Sequence, residues 1–306
     1  MLENEIEIIC SDGHVMKIYS WLPNTQPVCI LHIAHGLAEH AQRYKSIAAF
    51  FAEHGMAVFV HNQRAHGKSV TPIDLLGITE PNWFYQQIND INLCISHHRQ
   101  HFPDTPIFLL GHSMGSFLAQ RYFQMHGNCI NGLMLSATNG KEDPLMGFGI
   151  FIANLQRKLF GEKYRSKLID YLSFVQYNKK FKPNRTKADW LSRDEAQVDE
   201  YVADEYCGFV SSASFYYYFF KGIKDAFRKE NISGIPKTIP VYAFSGDKDP
   251  VGMEGKGFME LIKKWKAAGV NDFSYHLYKD GRHEMMNEIN RDEVLENLLG
   301  FIKTHL

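Results

Sequence analysis

The stretch Ile107-Phe108-Leu109-Leu110-Gly111-His112-Ser113-Met114-Gly115 decides the fold. Four apolar residues read as a buried strand, and a Gly-x-Ser-x-Gly pattern follows at once as a tight turn into a helix. A nucleophile at the tip of such a turn stands clear of the backbone. Its neighbours must be small so that strand and helix approach closely. The following helix, Met114 to about Met125, brings free N–H groups and the positive end of its dipole to the same point. The pattern is short, so the rest of the chain has to supply its partners.

Outward from this turn the chain alternates strand and helix. Glu5 to Cys10 alternates glutamate and isoleucine, Ser11-Asp12-Gly13 is a hairpin turn, and His14 to Trp21 returns. Val28 to His35 and Met56 to Val60 are apolar runs of the kind buried on both faces. Tyr44 to His54 and Trp83 to Phe102 carry helical periods, the first stopped at Gly55 and the second at Pro103. A strand follows at Leu133 to Ser136, and the alternation resumes at Ile239 to Phe244. A helix around Phe258 to Trp265, a strand from Phe273 to Tyr278 and a helix from Arg291 to Lys303 complete it. The pattern predicts a mostly parallel α/β sheet of about eight strands with helices on both faces. The expected organisation is a core over residues 1–139 and 238–306 with a helical cap over 140–237, inserted at the carboxyl edge of the sheet.

Two loops after strands supply the partners of Ser113. Ser245-Gly246-Asp247-Lys248-Asp249 offers a carboxylate to orient an imidazole, and Asp280-Gly281-Arg282-His283-Glu284 offers a histidine as general base. The order Ser, Asp, His is that of α/β-hydrolases. An oxyanion hole needs two backbone N–H groups. Met114 supplies one, and Leu37, in the loop after the Val28 strand, supplies the other.

His35-Gly36-Leu37-Ala38-Glu39-His40 with Arg43-Tyr44, the Gly111-His112-Ser113-Met114-Gly115 turn and Gly281-Arg282-His283-Glu284 with Asn287-Glu288 together resemble the monoacylglycerol lipase and lysophospholipase group of α/β-hydrolase serine hydrolases. The resemblance implies Ser113, Asp249 and His283 as the triad. Asp249 fits the group's spacing from Gly246 better than Asp247 does. It implies Leu37 and Met114 as oxyanion donors. Asn62 and Ala65 stand where the group usually has Asp and Gly, and Ser116 where it often has Gly.

Composition narrows the partners. Hydrophobic residues make up 45% and charged residues 22% of 306 positions, an ordinary globular balance. A net charge of −1 excludes a nucleic-acid partner, which needs a basic face. No nucleotide-binding glycine pattern and no metal-ligand spacing appear, so no cofactor and no metal are expected. His97, His98 and His101 read as a solvated helical face; His35, His40, His61 and His66 read as hydrogen-bonding loop supports. Five cysteines without a C-x-x-C pair, and an N-terminus without an apolar leader, fit a cytoplasmic protein. In the cap, Leu145, Phe148, Ile152, Leu155 and Leu159 repeat at helical spacing. That stripe either packs on the core, lines an acyl tunnel through Phe148 and Ile152, or faces lipid as a peripheral membrane contact. The expected substrate is a small lipid-like ester, a monoacylglycerol or lysophospholipid. Two alternatives stay open. One is a proline-type aminopeptidase, in which Asp189, Asp194, Glu195, Asp199 or Glu200 would hold an amine. The other is a receptor that binds without catalysis.

Overall fold

The computed structural model describes residues 1–306. Strands β3 (Cys29–Ala34), β4 (Met56–His61), β5 (Ile107–His112) and β6 (Gly132–Ser136) are buried along their whole length, as their unbroken apolar runs require. With β1 (Leu2–Ile9), β2 (Val15–Leu22), β7 (Val241–Gly246) and β8 (Phe273–Tyr278) they form one eight-stranded sheet in the order β1-β2-β4-β3-β5-β6-β7-β8. The β1–β2 hairpin and its junction to β4 are antiparallel; every other pairing is parallel. The chain reverses direction along the sheet around β3 and β5, the switch point where open α/β sheets bind ligands.

Helix α1 (Lys45–Glu53) covers one face together with the chain's last helix, while α2 (Trp83–His101) and α3 (Met114–His126) cover the other. His98 of α2 departs from the solvated reading. It is buried, and its Nε2 lies 2.9 Å from His32 Nδ1, while His32 Nε2 lies 3.0 Å from His61. Helix α2 is long enough to wrap over the sheet, so its inner face reaches the β3 and β4 side chains.

Between β6 and β7 the chain is helical: α4 (Met146–Phe160), α5 (Lys167–Asp170), α6 (Gln176–Lys179), α7 (Glu195–Ala203), α8 (Ala213–Ala226) and α9 (Lys229–Ser233). The aromatic run on α8 is a packing helix. Phe215, Tyr216 and Phe219 are buried in the main core, and the Trp83 indole stacks on Phe215 at 4.3 Å. Helix α4 lies against α8 through its small residues. Ala153 is buried there, and Gly149 sits against the Phe220 ring. The close approach at Gly149 and Ala153 turns the large apolar stripe outward, leaving Leu145 70%, Phe148 53% and Leu159 65% exposed. Helices α10 (Lys256–Ala267) and α11 (Arg291–Thr304) complete the two layers.

Candidate active site

Ser113 sits in the turn between β5 and α3 with φ +52° and ψ −117°, a backbone conformation costly for any residue with a side chain. The flanking glycines make it attainable. A Cβ on Gly111 would come within 2.4 Å of the Gly115 carbonyl, and one on Gly115 within 2.0 Å of the Ala34 carbonyl. Ser116 tightens the turn by donating its hydroxyl to the Ser113 carbonyl at 2.7 Å.

The loops after β7 and β8 carry their side chains to this point. Ser113 Oγ lies 2.9 Å from His283 Nε2, and His283 Nδ1 lies 2.8 Å from Asp249 Oδ1. A carboxylate can only accept, so Nδ1–H donates to Asp249 and Nε2 is left to accept the Ser113 proton. Asp249 is fixed by the Val251 N–H at 2.9 Å and the Ser245 hydroxyl at 3.0 Å. Asp247, the other acid of the loop, points to Lys248 at 3.5 Å instead. Burial pushes the His283 imidazole down, but the Asp249 charge and hydrogen bond outweigh it and hold His283 above its ordinary value. The Leu37 and Met114 amides have no acceptor within the protein, and Leu37 lines the cavity beside Ser113.

A buried ionic bridge ties the Leu37 loop to the His283 loop, and sequence reasoning missed it. Arg43 reaches Glu39 at 2.7 Å and grips both oxygens of Glu284 at 2.9 and 2.8 Å. Glu39 also accepts from the Gly36 N–H and from the Tyr44 hydroxyl at 2.9 Å. Burial pushes the Glu284 carboxyl up; the Arg43 charge and its hydrogen bonds win and hold it at about 2. These residues stood inside the quoted motifs, but nothing in their spacing says that positions 43 and 284 meet. The substitutions noted above are local. Asn62 Oδ1 accepts from the Ala41 N–H at 2.9 Å, and Ala65 adopts φ +64°, where glycine would rest unstrained.

A cavity of about 750 Å³, counting its solvent-open mouth, leads to Ser113 and His283. Its apolar wall comes from Leu37, Phe174, Val175, Trp190, Leu191 and Phe209. Phe148 and Ile152 are not part of that wall: α4 turns Phe148 to solvent and rests Ile152 against the core. None of the five acids weighed for binding an amine lines this cavity, and three of them are committed elsewhere. Asp189 accepts from the Arg185 and Thr186 amides, Asp194 caps α7, and Asp199 pairs with Arg185 at 2.6 Å. Two groups of metal-type ligands also occur, His32 with His61 and Cys94, and His40 with Asp204 and Cys207; within them His32 bonds His61 at 3.0 Å and His40 bonds Asp204 at 2.8 Å.

An antiparallel-edged parallel sheet, a strained serine turn, and a histidine and an aspartate on the two following strand ends define the α/β-hydrolase class. A family model described as serine aminopeptidase, S33, matches residues 25–290, and the chain belongs to that family. Rat (Rattus norvegicus) monoglyceride lipase is 24% identical over 97% of this chain and 88% of its own length. Mouse (Mus musculus) monoglyceride lipase is 27% identical over 64% of this chain and 58% of its own length. A thermostable carboxyl esterase from Bacillus coagulans, solved with glycerol, superposes with a TM-score of 0.91 at 25% identity, covering 100% of this chain and 99% of that one.

Proposed function

We propose that this carboxylic ester hydrolase cleaves monoacylglycerol-like lipid esters through an acyl-enzyme. The observation that carries the reading is the apolar cavity opening onto Ser113 and His283. His283 Nε2 takes the Ser113 proton as Oγ attacks the ester carbonyl, and Asp249 holds the imidazole in the tautomer that can accept it. The Leu37 and Met114 amides bind the oxyanion, each contributing roughly 3–4 kcal/mol. The imidazolium returns its proton to the leaving alcohol, and a water then repeats the cycle on the acyl-Ser113 ester. The monoglyceride lipase relatives support a lipid ester over a peptide. So does the largely apolar wall of the cavity: of its three acids Glu39 and Glu284 are bound to Arg43, and Asp170 shares the wall with Lys187. The exposed apolar face of α4 would rest on the lipid surface that holds the substrate; no helix is long and apolar enough to cross a membrane.

p-Nitrophenyl esters of graded chain length test the substrate, run beside an aminoacyl-naphthylamide. A buried methylene is worth about 0.8 kcal/mol. kcat/KM therefore rises about fourfold per added methylene until the cavity is full. A flat profile, or faster amide cleavage, overturns the lipid reading. The triad is tested in one loop: Asp249→Asn lowers kcat by about 10⁴-fold through the wrong tautomer, while Asp247→Asn leaves it nearly unchanged. Equal losses would refute the assignment.

A further inference from the structure

The Trp190 ring lies against His283, with centroids 4.7 Å apart and planes at 36°. No step of the mechanism above uses it. Trp190 is buried and belongs to the segment between β6 and β7, yet it is held from both sides. Its backbone N–H donates to Asn178 Oδ1 at 3.0 Å, and its ring stacks on Phe174 at 5.8 Å and meets Tyr177 at 5.4 Å. Its neighbours are bound to the histidine loop itself. Leu191 O accepts from the Glu284 N–H at 2.7 Å, and Arg282 donates to the carbonyls of Asp189 and Ser192.

We infer that Trp190 is a positioning residue whose indole face stabilises the imidazolium that His283 becomes during turnover and keeps the ring in line between Asp249 and Ser113. A cation forming in a buried site needs negative potential around it, and the face of an indole is the best aromatic source of it. The other groups facing His283 are Asp249, the neighbouring Glu284, Glu39 across the site with Arg43 bound to it, and the His112 ring at 5.1 Å. Asp249 engages the Nδ1 edge of the ring, and Trp190 lies nearer to it and closer to parallel with it than the His112 ring, at 36° against 52°. The inference rests on the proposed triad.

The test is the acid limb of kcat/KM against pH on a short soluble ester, which reports the free enzyme's base. A π face favours the charged imidazole. Trp190→Leu therefore moves the limb to lower pH, by about half to one and a half units, and lowers the plateau several-fold. Trp190→Phe keeps a ring and stays within a few tenths of a unit of the parent. Replacing all tryptophan by 5-fluorotryptophan preserves shape but weakens the face, so the limb shifts in the same direction by less. This arm answers even if Trp190→Leu fails to fold. A limb that moves upward, showing that Trp190 only excludes water, overturns the inference. So does a fluorinated enzyme whose limb does not move. Ser113→Ala and His283→Ala are run alongside. If either retains hydrolysis, the triad itself is wrong; if both are inactive and the tryptophan arms are flat, only the role of Trp190 falls.

Discussion

The two limbs of the segment between β6 and β7 meet the site in opposite ways. The limb from Asp189 to Phe209 is bound into the catalytic loops. Arg282 grips its carbonyls, Arg193 pairs with Glu288 at 2.9 Å, His40 bonds Asp204 at 2.8 Å, and the Gly208 N–H donates to Ala38 at 3.0 Å. The limb over residues 145–160 leans on α8 and turns Leu145, Phe148, Phe151, Leu155 and Leu159 outward. Here one half is part of the frame that holds the histidine, and only the other half presents an unpartnered surface.

The largest effect should come from the join between the inner limb and the core. Arg43 is buried between Glu39 and Glu284, with its guanidinium 4.9 Å from the Tyr201 ring of the inner limb. Arg43→Met leaves two buried carboxylates without a cation, a loss of about 3–5 kcal/mol in urea unfolding. Turnover falls as well, because the Leu37 and His283 loops lose their tie. Adding Glu39→Gln and Glu284→Gln recovers much of the stability. A single variant as stable as the parent would show that the join does not hold the frame.

The contrast also explains what the sequence let one read. The proposed triad was legible because strand ends and tight turns leave local signatures: glycines at 111 and 115, an acid and a histidine each just past an apolar run. The resemblance favoured Asp249 over Asp247 through the group's spacing, and Asp249 is the acid that lies 2.8 Å from His283. The Arg43 bridge and the Trp190 contact are pairings between positions far apart, which neither period nor propensity encodes. The α4 stripe left three readings open for a different reason. Its most apolar face is not its contact face, because two small residues, Gly149 and Ala153, let α8 approach on the other side. Size, not hydrophobicity, chose the buried side.

Acid should act first on the sheet and the elements packed against it, by a smaller effect. Residues 127 to 275 contain no histidine, so this titration belongs to the sheet and its loops. Burial lowers His66 and His98 to about 3 and His112 to about 4. Unfolding lets each bind a proton between about pH 6.5 and its folded value, so stability falls as the pH falls through that window. The slope is up to about 1.4 kcal/mol per pH unit for each group. His283, held above its ordinary value, contributes the opposite sign: its share is full in acid and lost as the pH rises. Nine histidines are held low, these three among them, and together they outweigh the one held high. Urea midpoints at pH 7 and pH 5 should therefore drop in acid; a midpoint that rises would mean that these rings are solvated.

The smallest effect on stability, and the sharpest on location, belongs to the outer limb. Phe148 touches neither the cavity wall nor the core, so Phe148→Asp should change the unfolding free energy by no more than about 0.5 kcal/mol. Hydrolysis of a soluble acetyl ester should be unchanged, because the triad stands on strand ends remote from that face. Sedimentation with anionic phospholipid vesicles should weaken, since a charge enters an apolar face flanked by the exposed Lys158, Lys163 and Lys167. Hydrolysis of vesicle-borne monoacylglycerol should fall with it. The variant separates three roles for one helix. A core-packed stripe predicts loss of stability and of both activities. An acyl tunnel predicts a long-chain defect even with soluble substrates. A lipid-docking face predicts a defect only where there is a surface to dock on, and vesicle binding that survived the charge would remove that role from the outer limb.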